Sequence, residues 1–417
     1  MSASRPIKAE VSTAVRGENP WIVLGVLCVA VVFSLTTWFS ATAVTPELKV
    51  AWSLSDTAVG WLTNGVQIGF VTGALLASFV NLPDIVRLNR LMAASAAIAA
   101  LANAMLLLEP GPAGAVACRI ATGVALAGVY PPALKLVSTW FVRNRGLALG
   151  AVIAALTLGS SLPHLFRSLA QSLDWTLVIS LSSVAALIGA LCFLLFAKEG
   201  PHPFGRAIFN PAQIGIVFRD RNLFLVNVGY LGHMWELYAM WAWLLVYLRS
   251  SIELFSGPSA ALASLVTFAA IASGVVGCIA GGLLSDRYGR TATTAGFMMI
   301  SGACAIAMCF VYGGPIWLIA TVAIVWGITI IGDSAQFSAA VTELGQREFV
   351  GTALSLQLGL GFALTIFVIW LMPHLADLLG GWRWTFLFLA PGPIIGTIAM
   401  LKLRKSPASL RLANGKR

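Results

Sequence analysis

The chain alternates between apolar runs of about 20 residues and short polar segments along most of its length. A run of that length fits a helix that crosses a bilayer, whereas membrane β-strands alternate polar and apolar positions over about ten residues. The pattern therefore predicts an all-α integral membrane protein with twelve transmembrane helices. The predicted spans are 20–44, 57–80, 89–108, 113–135, 146–168, 175–197, 222–248, 258–283, 291–312, 315–338, 350–373 and 382–401.

The longest polar connection, residues 198–221, divides these spans into two sets of six, and features of the first set recur about 205–209 positions later. One such feature is a row of small residues, which lets helix backbones pack closely in lipid: Gly65, Gly69 and Gly73 on the second span, and Ser273, Gly277 and Gly281 on the eighth. A tandem duplication of six helices is a design of secondary transporters. It predicts a tail 1–19, a six-helix half 20–197, a linker 198–221, a second half 222–401 and a tail 402–417.

Composition and charge placement support this topology and set its orientation. Of all residues, 59% are hydrophobic and 10% are charged, which is too little charge for a soluble domain. With the N-terminus in the cytoplasm, 21 of the 26 Lys and Arg residues fall on the cytoplasmic side and four on the other. This distribution follows the positive-inside rule, so the net charge of +10 reflects topology and not nucleic-acid binding. Both termini are expected in the cytoplasm, with the first span retained rather than cleaved as a signal peptide.

Cysteine, histidine and glycine residues do not occur at the spacings that disulfides, metal sites or phosphate-binding loops require. All six cysteines lie in apolar runs, where they predict packing and not disulfides. The four histidines are scattered without metal-ligand spacing, and the phosphate-binding pattern G-x-x-x-x-G-K-[ST] is absent from the sequence. We therefore expect neither an enzyme nor a bound cofactor or metal. Channel filters are built from rings of backbone carbonyls or charged side chains, and the sequence contains no repeated element of this kind. A channel is therefore disfavoured.

Two motifs resemble signatures of the major facilitator superfamily. Residues 282–290 read Gly-Leu-Leu-Ser-Asp-Arg-Tyr-Gly-Arg and resemble its G-x-L-x-D-R-x-G-R loop, while residues 119–123 resemble its R-x-x-x-G motif. The resemblance implies a twelve-helix carrier that works by alternating access, with the loop holding the two halves closed on the cytoplasmic side. It assigns this gating role to Asp286, Arg287, Gly289 and Arg290. The first-half copy of the loop keeps Gly73 but has Ser78 in the place of Asp286.

Within the superfamily, stretches such as residues 235–238 look like bacterial members loosely grouped with nitrate/nitrite and cyanate porters. Those nitrate porters carry an Arg on the second and eighth spans, and residues 57–80 and 258–283 contain none. The Gly-Pro motif of efflux carriers is also missing from the fifth span. The resemblance therefore implies the superfamily and a bacterial inner membrane, but not a substrate.

Polar residues inside the spans predict the transport pathway, because a charge at bilayer depth costs at least about 2.5–3.5 kcal/mol without a partner or a water-filled cavity. Glu236 and His233 share a face of the seventh span and are expected to relay a proton or clamp the substrate. Arg119 is expected to neutralise an anion or pair with a carboxylate. For each residue the alternative is a structural role in hydrogen bonding. The predicted pathway comprises Arg119, Tyr130, Gln67, His164, Glu236, His233, Asp333 and Gln336.

Two local features of the fourth span complete the prediction. Pro131 and Pro132 are expected to interrupt its helix, and Lys135 is expected to extend its ammonium group to water while its stem stays in lipid.

Cations in the first half and carboxylates in the second suit a small polar, anionic solute and a carboxylate that exchanges protons. The sequence predicts secondary active transport by a monomer in the lipid bilayer, as proton-coupled uptake of such a small molecule. Efflux antiport and a non-transporting membrane sensor of the same fold are the alternatives.

Overall fold

The computed structural model describes residues 19–141, 144–170, 174–202, 215, 219–257, 259–346 and 350–417. The predicted N-terminal tail and most of the predicted linker lie outside these residues. Every regular element in the described ranges is helical, as the apolar runs predict.

The helices of the first half are α1 (Pro20–Leu35), α2 (Ser40–Ala43), α3 (Thr45–Ala51), α4 (Asp56–Phe79), α5 (Leu82–Ile85), α6 (Leu88–Ala104), α7 (Gly111–Leu126), α8 (Tyr130–Trp140), α9 (Arg145–Leu169) and α10 (Trp175–Phe196). Those of the second half are α11 (Arg221–Ser256), α12 (Ala260–Tyr288), α13 (Arg290–Val311), α14 (Ile316–Gly332), α15 (Ser334–Leu344), α16 (Val350–Leu378) and α17 (Pro391–Arg404). Short 3₁₀ segments cover Met105–Leu108, Thr385–Leu389 and Pro407–Gly415.

Ten helical segments of the described chain are long and apolar enough to cross a bilayer. The other two predicted spans differ from this group for separate reasons. Span 20–44 is not one helix, because α1 ends at Leu35 and the chain continues as α2 and α3. The seventh span is α11, a 36-residue helix whose polar and aromatic residues lower its mean hydropathy. The all-α membrane fold is therefore confirmed, and ten of its spans are confirmed by length and composition.

Two spans are interrupted at equivalent places in the two halves. The fourth span breaks between α7 and α8, which places Pro131 and Pro132 in the first turn of α8, where a missing N–H group breaks no hydrogen bond. The tenth span breaks between α14 and α15 at Asp333. The sequence predicts the first break through its prolines, whereas no proline marks the second.

Glycines set the packing within each half, as their spacing predicts. A Cβ atom built on Gly69 of α4 would lie 2.0 Å from the backbone oxygen of Ile120 in α7. In the second half, a Cβ on Gly277 of α12 would lie 1.9 Å from the backbone oxygen of Ile328 in α14. Only a residue without a side chain allows these backbones to approach so closely.

The two halves meet along α4 with α16 and along α9 with α12. The duplication relates these two seams to each other, because the second and eighth spans correspond, as do the fifth and eleventh. We call the side at which α1 begins and α17 ends the terminal face, and the side that carries α3 the opposite face. The sequence predicts that the terminal face is cytoplasmic.

Candidate functional site

A cavity of about 200 Å³ lies between the two halves and is lined by α4, α8 and α16. Its walls are mostly apolar and include Phe70 and Tyr130 from the first half and Phe362 from the second. The cavity extends toward the terminal face, where Asp84 and Lys135 line its mouth. A space formed by both halves is where a solute can contact both of them at once.

Asp84 and Lys135 form an ion pair at this mouth. The Lys135 ammonium lies 2.6 Å from the Asp84 carboxylate and also donates to the backbone oxygen of Pro83 at 3.0 Å. Both side chains are about one-fifth exposed. The short helix α5 therefore gives the Lys135 ammonium group a carboxylate partner at the terminal face, which the sequence did not predict.

Aromatic side chains from both halves close the inner end of the cavity. The rings of Phe70 and Phe362 lie 4.6 Å apart between centroids, and they are the cavity-lining side chains farthest from the terminal face. Trp38 packs on Phe70 at 4.9 Å, and Tyr238 packs on Phe362 at 5.2 Å. We call these four residues the aromatic plug.

Beyond the plug, an ion-pair cluster joins the halves at the opposite face. Glu47 of α3 pairs with Arg167 of α9 at 2.6 Å and with Arg249 of α11 at 3.2 Å. The first contact lies within one half and the second connects the two. The cavity is therefore closed toward the opposite face while its mouth lies at the terminal face.

Arg119 is fully buried in the first half, beside the interruption of the first span. Its hydrogen-bond acceptors are the backbone oxygens of Thr37, Trp38 and Leu62 and the side-chain oxygens of Ser40 and Asn103. The end of α1 at Leu35 frees the carbonyls of residues 37 and 38 to accept from this guanidinium. Among the described residues, no carboxylate hydrogen-bonds to Arg119.

The two polar residues of the seventh span have separate partners. The Glu236 carboxylate accepts from the indole N–H of Trp326 at 2.7 Å and contacts the Ser301 hydroxyl at 2.8 Å. His233 Nδ1 instead lies 2.8 Å from the Asp333 carboxylate, at the break between α14 and α15. Both pairs are buried inside the second half. Glu236 and His233 were predicted to share one face of the helix, but their side chains do not form a single cluster.

Of the other predicted pathway residues, Tyr130 lines the cavity and Gln67 lies on the cavity-facing side of α4, one turn from Val71. The Gln67 amide is buried without a hydrogen-bond partner among the described residues, and the same holds for the His164 ring. The Gln336 amide oxygen accepts from Arg290 at 2.7 Å near the terminal face. These positions keep Tyr130 and Gln67 nearest to the space between the halves.

The loop residues predicted to gate lie at the terminal face. Asp286 has its side chain 74% exposed, with its carboxylate 3.8 Å from Arg290. Arg290 pairs more closely with Glu343 of α15, at 2.8 Å. Gly289 has φ +93°, a backbone conformation that favours glycine, and the Arg287 guanidinium lies over the Tyr288 ring at 5.2 Å. In this conformation the loop makes its ion pairs within its own half.

Sequence reasoning missed three carboxylates, Glu47, Asp84 and Glu343, because each lies in or near a polar segment where carboxylates are common. It also missed the aromatic plug, whose members look like ordinary apolar residues of their spans. A signal for Glu343 was available in the repeat, since it lies 208 positions after Lys135.

Comparison with known proteins places this geometry in context. The sequence profile described as Major Facilitator Superfamily matches residues 26–368 and, in an overlapping match, 256–417. The chain is 26% identical over 171 residues to the MFS-type transporter pytF of Aspergillus terreus, covering 40% of this chain and 55% of that protein. It is 22% identical over 294 residues to the probable sulfoacetate transporter SauU of Cupriavidus necator, covering 65% of this chain and 66% of the relative.

The chain thus spans about half the length of the first relative and about two thirds of the second. Among solved structures, its fold is similar to that of a bacterial homologue of the human lysosomal transporter Spinster, which was crystallised in an inward-facing, unoccupied conformation. The TM-score is 0.69 at 15% identity, with 93% of this chain and 99% of the other covered. The two folds therefore agree over nearly their whole length.

Proposed function

The chain belongs to the Major Facilitator Superfamily, a family of membrane transporters and not of enzymes, and we propose that it takes up a small organic anion together with protons. The transport cycle proposed is alternating access, in which the two halves expose one central site to each side of the membrane in turn. The direction, the coupling ion and the solute class are parts of this proposal.

The observation that carries the proposal is the cavity between the halves. It has its mouth at the terminal face, while the aromatic plug and the Glu47–Arg249 contact close it toward the opposite face. A carrier needs one such closed barrier at a time, because a path open at both ends would dissipate the gradient. The barrier is made of contacts between the halves, so it can be undone by moving them apart.

The proposed solute follows from the lining of the cavity. A volume of about 200 Å³ lies below the roughly 300–1,000 Å³ of sites for drug-sized ligands, which favours a small solute. The ammonium group of Lys135 lies at the mouth, and its pair with Asp84 is partly exposed to the solvent that an entering solute would displace. An anionic solute can therefore replace Asp84 as its partner. The sulfoacetate assigned to one relative is an anion of this size class.

Arg119 is not needed as the binding cation in this scheme, since carbonyl and side-chain oxygens already surround its guanidinium. Its predicted pathway role stays a proposal, with Lys135 as the preferred anion-binding residue.

Proton coupling is assigned to the buried carboxylates of the second half. Asp333 is the first candidate, because it lies at a helix break with His233 as its partner, so a small movement of α15 changes its surroundings. Glu236 is the second, held by Trp326 and Ser301. A carboxylate couples proton movement to solute movement only if its proton affinity differs between the two states.

The test is uptake into proteoliposomes of radiolabelled small carboxylates and sulfonates, sulfoacetate included, with and without an inward proton gradient. Wild type should accumulate at least one of these anions only with the gradient. Asp333→Asn should abolish accumulation but keep exchange of solute across the membrane, whereas Glu253→Gln, an exposed carboxylate on α11, should behave as wild type.

Accumulation that is independent of the proton gradient would contradict coupling. Extrusion of the preloaded anion driven by the same gradient would instead identify efflux antiport. If the protein folds and binds an anion but moves none under any gradient, the sensor alternative gains support.

A further inference from the structure

An apolar groove of about 570 Å³ runs along the α9–α12 seam, one of the two seams at which the halves meet. It is lined by α1 and α9 from the first half and by α12 from the second, and all of its lining residues are apolar. The side chains of Val29, Leu147 and Ile279 belong to this lining and are between 41% and 47% exposed. The groove is therefore continuous with the apolar surface through which the helices contact lipid.

Missing side chains create part of this groove. A Cβ atom on Gly146 or Gly282 would have no atom within 4 Å, and one on Gly150 would have only a backbone oxygen, at 3.7 Å. These glycines differ from Gly277, whose Cβ would lie 1.9 Å from the backbone oxygen of Ile328. Close contact between helix backbones therefore does not account for them, and the space above them is available to a molecule outside the chain.

The groove has the depth of one bilayer leaflet. Along α9 it extends from Gly146 to Leu158, which is about 18 Å at the helical rise of 1.5 Å per residue. The hydrocarbon core of a bilayer is about 30 Å thick, so one leaflet contributes about 15 Å. Trp21 lines the terminal end of the groove and is 47% exposed, and tryptophan is enriched where membrane meets water. The groove thus runs from that interface to the middle of the bilayer.

The size and chemistry of the groove fit one hydrocarbon chain. An apolar cavity of about 150 Å³ binds benzene, so about 570 Å³ has room for roughly 20 carbon atoms, which is the size of one acyl chain. The lining contains no charged, amide or hydroxyl side chain that could orient a polar guest. An acyl chain needs no hydrogen-bond partner, so such a lining can hold it.

The chain around the groove distinguishes a lipid from other occupants. Residues 1–18 lead into α1 at the terminal end of the groove, but charged residues recur along them, and an unpaired charge is costly to bury in an apolar site. In the sequence, Arg143 and Arg145 come just before Gly146, the lining residue nearest to the start of α9. Basic residues next to a membrane surface attract anionic lipids. An anionic phospholipid therefore matches both the apolar groove and the basic segment at its end.

We propose that one acyl chain of an anionic phospholipid, from the leaflet at the terminal face, occupies this groove. Its headgroup lies beside Trp21, and its chain runs along α9 to Leu158. The lipid contacts both halves, because α12 belongs to the second half and α1 and α9 to the first. This inference goes beyond the proposed function and holds whichever solute is carried.

The test uses photoreactive phosphatidylglycerol in nanodiscs, with a diazirine either near the start or at the end of one acyl chain, and mass spectrometry of the labelled peptides. The chain-end diazirine should label Val32 and Leu158 several-fold more than Leu187, an exposed residue of α10 outside the groove. The chain-start diazirine should instead label Leu147. Labelling of the groove no stronger than that of Leu187 would show bulk lipid only and would overturn the proposal.

The headgroup is tested with phosphatidylcholine that carries the same chain-end diazirine. It should label the groove about five-fold less than phosphatidylglycerol, which is the attraction expected from one basic residue near the membrane surface. Arg143→Gln combined with Arg145→Gln should remove this difference. Equal labelling of wild type by the two lipids would overturn the preference for an anionic headgroup.

Two leucine substitutions separate the groove from the rest of the lipid-facing surface. Gly150→Leu places a side chain in the groove and should lower its labelling several-fold, with labelling of Leu187 unchanged. Gly296→Leu on α13 is the matched control, because a Cβ there also has no atom within 4 Å but Gly296 lies outside the groove. Thermal melting checks that both variants are folded, and wild-type labelling in the folded Gly150→Leu variant would overturn the proposal.

Other occupants are tested in wild-type sequence with a photoreactive leucine analogue at position 147. It should form cross-links to phospholipid. Cross-links to residues 1–18 or to a second copy of the chain, in place of lipid, would overturn the proposal and leave the proposed function standing, because anion uptake is measured without any of these reagents.

Discussion

Adjacent glycines near the end of α12 offer a sharp test of how each half is held together. A Cβ atom on Gly281 would lie 1.8 Å from the backbone oxygen of Gly332, at the end of α14, whereas a Cβ on Gly282 would have no atom within 4 Å. Alanine at the two positions changes the same helix by the same methyl group. The two variants therefore differ in packing and hardly at all in helix propensity.

The expected cost follows from the geometry. Real Cβ contacts are essentially never under 3.0 Å, so Gly281→Ala requires the helices to separate by more than about 1 Å. A gap of that size removes a quarter to a half of the attraction between atom pairs worth about 0.1–0.2 kcal/mol each. Over an order of 50 such pairs between two helices the loss is about 2–4 kcal/mol, near the upper range of overpacking costs. Gly282→Ala should be neutral or stabilise by up to about 1 kcal/mol.

Thermal melting of the purified protein in detergent, followed by a thiol-reactive dye, measures the difference. Gly281→Ala should lower the apparent Tm by several degrees relative to Gly282→Ala, with both variants purified in the same detergent and lipid. Equal melting temperatures would refute the claim that close backbone contact between α12 and α14 sets the stability of the second half.

Three further predictions concern the buried and facing charges. Arg119→Lys should lower the apparent Tm, because a single ammonium group cannot reach both the Thr37 carbonyl in the interrupted first span and the Leu62 carbonyl of α4. An unchanged Tm would contradict this structural role. Glu47→Gln removes the ion pair that joins the halves at the opposite face, so amide hydrogen exchange around Trp38, measured by mass spectrometry, should increase. Unaltered exchange there would show that the aromatic plug closes the opposite face by itself. Lys135→Gln should weaken binding of the transported anion about ten-fold or more in calorimetric titration, because a hydrogen bond to a charged group contributes about 1.5–3 kcal/mol. Equal affinities of the variant and wild type would exclude Lys135 as the anion-binding residue.

The sequence predicts those parts of the fold that depend on residues close together in the chain. Apolar run length predicts the helices, Pro131 and Pro132 predict the break in the fourth span, and the glycines of α4 and α12 predict close packing. It fails where the outcome depends on partners distant along the chain. Nothing near Thr37 indicates that the first span must open to bind Arg119, because the cause lies 82 residues away.

The candidate site illustrates the same limit. Intramembrane charges are conspicuous in a sequence, but Arg119 and Glu236 both have partners within their own halves, whereas the cavity is lined largely by apolar residues. The side chains that face the space between the halves are chosen by helix rotation and by the arrangement of the two seams. Hydropathy does not encode either quantity, so Phe362 could not be told from its apolar neighbours.

The bonding of Arg119 also bears on how the chain enters the membrane during its synthesis. An arginine in mid-span makes α7 a poor candidate for independent insertion, at a cost of about 2.5–3.5 kcal/mol. Its carbonyl acceptors belong to the interrupted first span and to α4, both of which leave the ribosome before α7 does. The order of the segments thus provides the acceptors in the bilayer before the charge arrives. Insertion of the fourth span is therefore a cooperative step that depends on the earlier spans.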